Sequence, residues 1–118
     1  MTDKNEIKRR YKLRPADMGI YQIQNRVGGR VYIGRAMDLN GKLNSERFQL
    51  KNGLHMNREL QADFSRLGEP AFSFSVLDRL DAKDGTGHDP ALELKELEQM
   101  WLERLQPYDG KGYHKRKA

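Results

Sequence analysis

Residues 19–34 read GIYQIQNRVGGRVYIG, and the reading of this stretch decides the fold. Ile20, Tyr21 and Ile23 precede the pair Gly28-Gly29, and Val31, Tyr32 and Ile33 follow it. β-Branched and aromatic side chains suit a pleated strand, and a Gly-Gly pair accepts the positive φ angles of a tight turn. The spacing predicts strands over residues 20–25 and 30–34, joined as a hairpin.

Downstream of the hairpin, helical signals take over. Asp38 is a suitable N-cap for a helix over 38–52, with Leu39, Leu43 and Leu50 on one side and Gly53 as the stop. Asn57 can cap a second helix over 57–67, striped by Leu60, Phe64 and Leu67 and ended by Gly68. Phe72, Phe74 and Val76 alternate with Ser73, Ser75 and Leu77, which is strand periodicity. Residues 80–89 form a polar loop, and Asp89-Pro90 then opens a helix that runs to Leu105, with Pro107 barring continuation. The order β-β-α-α-β-α predicts an α+β fold, a three-stranded antiparallel sheet flanked by helices.

The last helix carries an acid where an apolar residue belongs. At about 100° per residue, Leu94, Leu97, Trp101 and Leu105 share one narrow stripe. Glu98 falls inside it, about 40° from Leu94. A carboxylate directed at a core needs a basic partner, a set of hydrogen-bond donors or a bound cation, unless it bends out to water. Tyr21 and Tyr32, taken alone, read as ordinary sheet residues.

A chain of 118 residues suits one domain, and 36% hydrophobic with 33% charged residues fits a globular protein. No stretch approaches the roughly 20 apolar residues that cross a bilayer, and the N-terminus has no apolar signal core. The expectation is therefore no membrane partner and a cytoplasmic location. The absence of cysteine excludes disulfides and thiolate metal sites. A net charge of +5 and a pI of 9.6 favour polyanionic partners, of which nucleic acid is the commonest. Lys8, Arg9, Arg10, Lys12 and Arg14 crowd one end, and Lys111, Lys115, Arg116 and Lys117 the other. These ends read as solvated tails, as phosphate contacts, or as both.

The two triplets Gly19-Ile20-Tyr21 and Tyr32-Ile33-Gly34, ten residues apart around a glycine turn, resemble the signature of the GIY-YIG nucleases. The resemblance continues through Asn52-Gly53-Leu54-His55, Leu60-Gln61, Leu67-Gly68 with Phe72–Leu77, and Glu98 followed by Trp101. It spans residues 19–114, leaving 1–18 as a basic N-terminal extension and 115–118 as a basic tail. It implies a metal-dependent endonuclease that hydrolyses phosphodiester bonds, with DNA as the first expectation for its partner and a monomer or weak homodimer as its state.

The resemblance also implies roles. Glu98 would hold one Mg²⁺ or Mn²⁺, a hard cation completed by water and phosphate oxygens. Tyr21 would serve as base for the attacking water, assisted by Tyr32, with a nearby cation needed because a free phenol ionises near pH 10. His55 would join in proton transfer, or else is a loop residue before a helix cap. The family's first-helix arginine falls at Lys42 here, a charge without the guanidinium fork. Arg35 and Arg47 are alternative cations, with Arg47 preferred because a small register shift near Gly41 would move it toward the site. The histidine or tyrosine four residues on is Glu46 here, and the usual asparagine after a Gly-Tyr pair is His114. These departures keep a second reading open, a nucleic-acid-binding module with a degenerate site. A protein-interaction domain is a third. A domain of this size offers little surface for reading a long site, so low sequence specificity is expected.

Overall fold

The Gly-Gly turn forms as its chemistry requires, with φ of +94° at Gly28 and +82° at Gly29. The Asn25 side chain braces it by accepting from the backbone N–H of Val27 at 2.9 Å. On either side run β1 (Met18–Asn25) and β2 (Val31–Ala36), each longer than its sequence pattern indicated. A computed structural model of the chain describes residues 17–81 and 89–115. The readings for residues 1–16, for most of the 80–89 loop and for 116–118 lie outside the described residues.

β1 pairs antiparallel with β2, bringing Tyr21 opposite Gly34 and Ile23 opposite Tyr32. Its other edge pairs antiparallel with β3 (Phe72–Leu80), giving the order β2-β1-β3. β3 runs three residues beyond the alternating segment. A register shift between Ile20 and Tyr21 marks a bulge, a device that re-aims side chains.

The helices are α1 (Leu39–Lys51), α2 (Arg58–Leu67) and α3 (Pro90–Leu105). Each is capped as the sequence indicated: Asp38, Asn57 and Asp89 all accept from first-turn N–H groups, which otherwise lack partners. Among the described residues no helix is long and apolar enough to cross a membrane.

The face of the sheet that carries Tyr21 and Ile23 packs with Leu39, Leu50, Leu60, Phe64 and Phe72 into the main core, under α1 and α2. Ile20 and Ile33 alternate to the other face, where α3 lies against β1 and β2 and buries Leu94. The stripe of α3 fades along its length. Leu94 is buried, Leu97 and Trp101 are half-buried, and Leu105 is exposed at 36%, contrary to its place in the apolar pattern. The helix leaves the sheet toward its C-terminal end. Trp101 instead fixes α3 to β3 by donating its indole N–H to Asp78 at 3.0 Å.

Candidate active site

Both signature tyrosines sit on one face of the hairpin, and glycine makes that arrangement fit. A Cβ on Gly34 would lie 2.3 Å from the Tyr21 hydroxyl and 2.5 Å from its ring, so the phenol occupies space that a side chain would fill. A Cβ on Gly19 would lie 2.0 Å from the carbonyl oxygen of Asp78, where β3 crosses closely beside the bulge. Both triplet glycines are thus dictated by crowding. With Gly34 bare, Tyr21 lies 6.5 Å from Tyr32 between ring centres, tilted by 47°.

An open cleft at this end of β2 is lined by Tyr21, Tyr32, Arg35, Lys42, Glu98 and His114. Edge strand β2 supplies Tyr32 and Arg35, and the first turn of α1 supplies Lys42. α3 brings Glu98, whose side chain is 19% exposed and accepts from Arg35 Nη1 at 2.7 Å. The misplaced acid of the helical pattern is therefore partnered by an arginine at the rim of the cleft. His114 stacks on Tyr32, with rings 4.9 Å apart and within 6° of parallel, and its Nε2 accepts from the Ile33 N–H at 2.9 Å.

Behind this wall lies a buried cluster. Glu46, 4% exposed, faces His55 Nε2 through Oε2 and Lys42 Nζ through Oε1, the latter at 3.4 Å. The Asn57 N–H donates to His55 Nδ1 at 3.0 Å, which leaves the ring proton of neutral His55 on Nε2, toward Glu46. His55 also meets the Tyr32 ring edge-on at 5.4 Å.

The electrostatics follow from burial. Burial pushes the Tyr21 phenol far above its ordinary range, and the negative charge of Glu46 adds to the push. Burial, with the charges of Glu46 and Glu98, raises Tyr32 to about 12. Burial works to raise Glu46 too, but His55 and Lys42 outweigh it and hold this carboxyl below its usual value. Burial lowers His114, partly offset by Glu98.

Of the residues singled out from sequence, Tyr21, Tyr32, Arg35, Lys42 and Glu98 meet in the cleft, and His55 supports it from behind. Arg47 does not meet them. It lies over the Phe74 ring at 4.6 Å and beside Glu69, on the β3 side of α1. The helix is regular through Gly41, and five residues at about 100° each turn Arg47 about 140° away from Lys42. Glu46 and His114 were noted only as departures from the pattern. Glu46 had a readable signal: it falls among Leu39, Leu43 and Leu50 on the apolar stripe of α1, as Glu98 does on α3. His114 had none, since it reaches the cleft through the irregular segment after α3, whose Gly112 and His114 form isolated bridges to Val31 and Tyr108.

Glu98 is the acidic side chain that lines the cleft. Among the described residues, no three His, Cys, Asp or Glu side chains converge closely enough to hold an ion by themselves. Glu98 at a cleft rim fits a hard divalent cation that substrate and water complete.

No family model matches the chain. It is similar to the intron-associated endonuclease 1 of Enterobacteria phage T4, at 29% identity over 87 residues. The match covers 74% of this chain but 32% of that protein's length. The fold superposes on the catalytic domain of homing endonuclease I-TevI with a TM-score of 0.69 and 27% identity, covering 85% of this chain and 99% of that domain. A glutamate-to-alanine mutant of the same domain gives a TM-score of 0.69 and 26% identity, covering 86% and 96%. The three-stranded sheet with its three helices is thus the fold of a homing-endonuclease catalytic domain, in agreement with the resemblance of the two triplets to the GIY-YIG nucleases.

Proposed function

We propose that this domain is an endonuclease that hydrolyses phosphodiester bonds in DNA with the help of Mg²⁺ or Mn²⁺. The observation that carries the reading is the convergence of two phenols, two cations and one carboxylate on a single open cleft. Glu98 would hold the metal, which when bound supplies Lewis-acid stabilisation of charge on the phosphate and the leaving oxygen. Lys42 and Arg35 line the same cleft and offset the charge that builds on the phosphoryl oxygens. Arg35 does so after exchanging its bond to Glu98 for one to the substrate. Tyr21 and Tyr32 orient the attacking water by hydrogen bonding. Both phenols are held above their ordinary ionisation range, so they work in the neutral form. His114, stacked on Tyr32, fixes that ring's plane. These groups address a phosphate, which every nucleotide carries, so cuts at many sites are expected.

The test is cleavage of single-stranded, duplex and branched DNA with Mg²⁺, Mn²⁺ and excess chelator, with Glu98→Ala and Tyr21→Phe as controls. Metal-dependent nicking lost in both variants supports the reading. Salt-sensitive binding without cleavage under every metal and substrate overturns it in favour of a binding module.

A further inference from the structure

We infer that Glu46 is a positioning residue that holds the Lys42 ammonium in the cleft, aimed at the phosphate, and that His55 and Asn57 hold Glu46 in turn. This rests on the nuclease reading above. It joins two departures from the GIY-YIG pattern, the lysine at 42 and the acid at 46, into one device.

Both residues lie on α1, one turn apart. On an open helix face a pair at that spacing is worth little, because two flexible side chains must be ordered in water. Here the burial is lopsided. The Lys42 side chain is 42% exposed and lines the cleft, whereas the Glu46 side chain is 5% exposed. The two carboxylate oxygens have separate partners. Oε1 lies 3.4 Å from Lys42 Nζ, and Oε2 faces His55 Nε2. His55 is buried too, and its Nδ1 accepts from the Asn57 N–H at 3.0 Å, which leaves the proton of the neutral ring on Nε2, toward Glu46. The Asn57 side chain is itself fixed: it accepts from the Leu60 N–H at 3.0 Å and donates to the Tyr113 carbonyl at 2.8 Å. The series therefore runs from the cap of α2 through His55 and Glu46 to one exposed end, the ammonium in the cleft.

A guanidinium brings its own rigid fork to a phosphate, whereas an ammonium on a flexible stem does not. With lysine at this position, the direction must come from outside the side chain. Glu46 takes one of the ammonium's donors and leaves the others for phosphoryl oxygens. The rotamer freedom of the stem is then lost on folding and not at the moment the substrate arrives. The acid has an opposing effect as well. A negative charge behind a phosphate site repels a polyanion, so by charge alone Glu46 hinders binding and cleavage. The two effects of removing it have opposite signs, which makes the inference testable.

The experiment is single-turnover cleavage of duplex DNA in Mg²⁺ at neutral pH, comparing the wild type with Glu46→Gln, Lys42→Met and the double variant, each checked by its melting temperature. Glu46→Gln should lose about 10-fold in rate, while its Kd for DNA without metal stays within about threefold of wild type or tightens. Lys42→Met should lose about 100-fold, and adding Glu46→Gln to it should change the rate less than about twofold, because the brace then holds nothing. A Glu46→Gln variant as fast as wild type overturns the inference. So does a double variant slower than Lys42→Met by a further 10-fold or so, since the acid would then act on something other than Lys42. A second readout needs no cleavage. With lysines labelled at the ε-carbon, relaxation must show Lys42 more mobile in Glu46→Gln than in the wild type, and unchanged mobility overturns the inference. If Glu46→Gln melts below the assay temperature, His55→Gln, which loosens the same brace from behind, replaces it in both measurements with the same expected directions. No cleavage by the wild type with either metal overturns the nuclease reading, and the inference with it. Wild-type cleavage with an unslowed Glu46→Gln overturns the inference alone.

Discussion

Among the described residues, two tyrosines sit in the field of a carboxylate that also faces a cation, and the two clusters are built differently. Tyr113 donates to Asp63 Oδ2 at 2.8 Å and accepts from Asn25 Nδ2 at 3.1 Å. Arg30 lies 4.2 Å over the Tyr113 ring, 3.5 Å from Asp63, and donates twice to the Gly112 carbonyl. In the other cluster the Glu46 charge acts on Tyr21, and the cation is Lys42, whose side chain is 42% exposed and lines the cleft. The difference lies in the cation. A stacked guanidinium bound to backbone is a clamp, and it ties the C-terminal segment to β2 and α2. A single ammonium on a flexible stem holds one carboxylate and remains able to meet a ligand. Matching groups therefore make a closed clamp at one end of the hairpin and line an open cleft at the other.

Substitutions can break or sharpen that contrast. The largest effect expected is on the reactive side: Glu98→Ala should cut the cleavage rate at least about 1000-fold, with the melting temperature nearly unchanged. Calorimetry of Mn²⁺ binding should show the same loss. Next comes Gly34→Ala, which strikes both properties, because the new methyl group must displace the Tyr21 ring. Unfolding in urea should report a loss of about 1–3 kcal/mol together with much reduced cleavage. On the clamp side, Asp63→Ala removes the acceptor of Tyr113 and the partner of Arg30, for about 2 kcal/mol of stability. Cleavage at low temperature should stay within about threefold of wild type. If it falls as far as in Glu98→Ala, the separation of the clusters is wrong.

Acid should weaken the reactive cluster through stability. His114 and Glu46 both have folded-state values below their ordinary ones. Their contributions are therefore complete above the ordinary values, near pH 6.5 for histidine and near 4.5 for the Glu46 carboxyl, and are lost as pH falls through the lowered ones. Melting temperatures should hold between about pH 7 and 9 and decline below about pH 6.5, and His114→Asn should remove the upper part of that decline. The smallest effect is expected of Arg47→Ala. Arg47 lies over Phe74 and beside Glu69, away from the cleft, and its buried Nε makes no hydrogen bond. Stability should fall by about 0.5–1 kcal/mol and the cleavage rate by less than about twofold.

Much of this was legible before any coordinates. The hairpin, its turn glycines and the three capped helices rest on local chemistry, which the residues state directly. Glu98 was legible because a helix converts spacing into direction. The same reasoning applied to α1 finds Glu46 on the stripe and turns Arg47 away from Lys42. A register shift near Gly41 would bring Arg47 round to the cleft, but Gly41 donates to the Asp38 cap and the helix stays regular. The bulge beside Gly19 and the arrival of His114 were not legible. Both depend on long-range strand pairing and on an irregular segment, and neither leaves a period in the sequence.

The two triplet glycines carry a lesson for anyone hunting relatives of this chain. Gly19 and Gly34 are bare because a neighbouring backbone and a neighbouring ring already fill the room a methyl would need. The recognisable motif is in that sense an imprint of elbow room, and it persists wherever the strands keep their spacing. A descendant stripped of Glu98 would still show both triplets and would still be filed with its kin. Whether such a protein cuts anything is written on the helices, in letters that the motif does not contain.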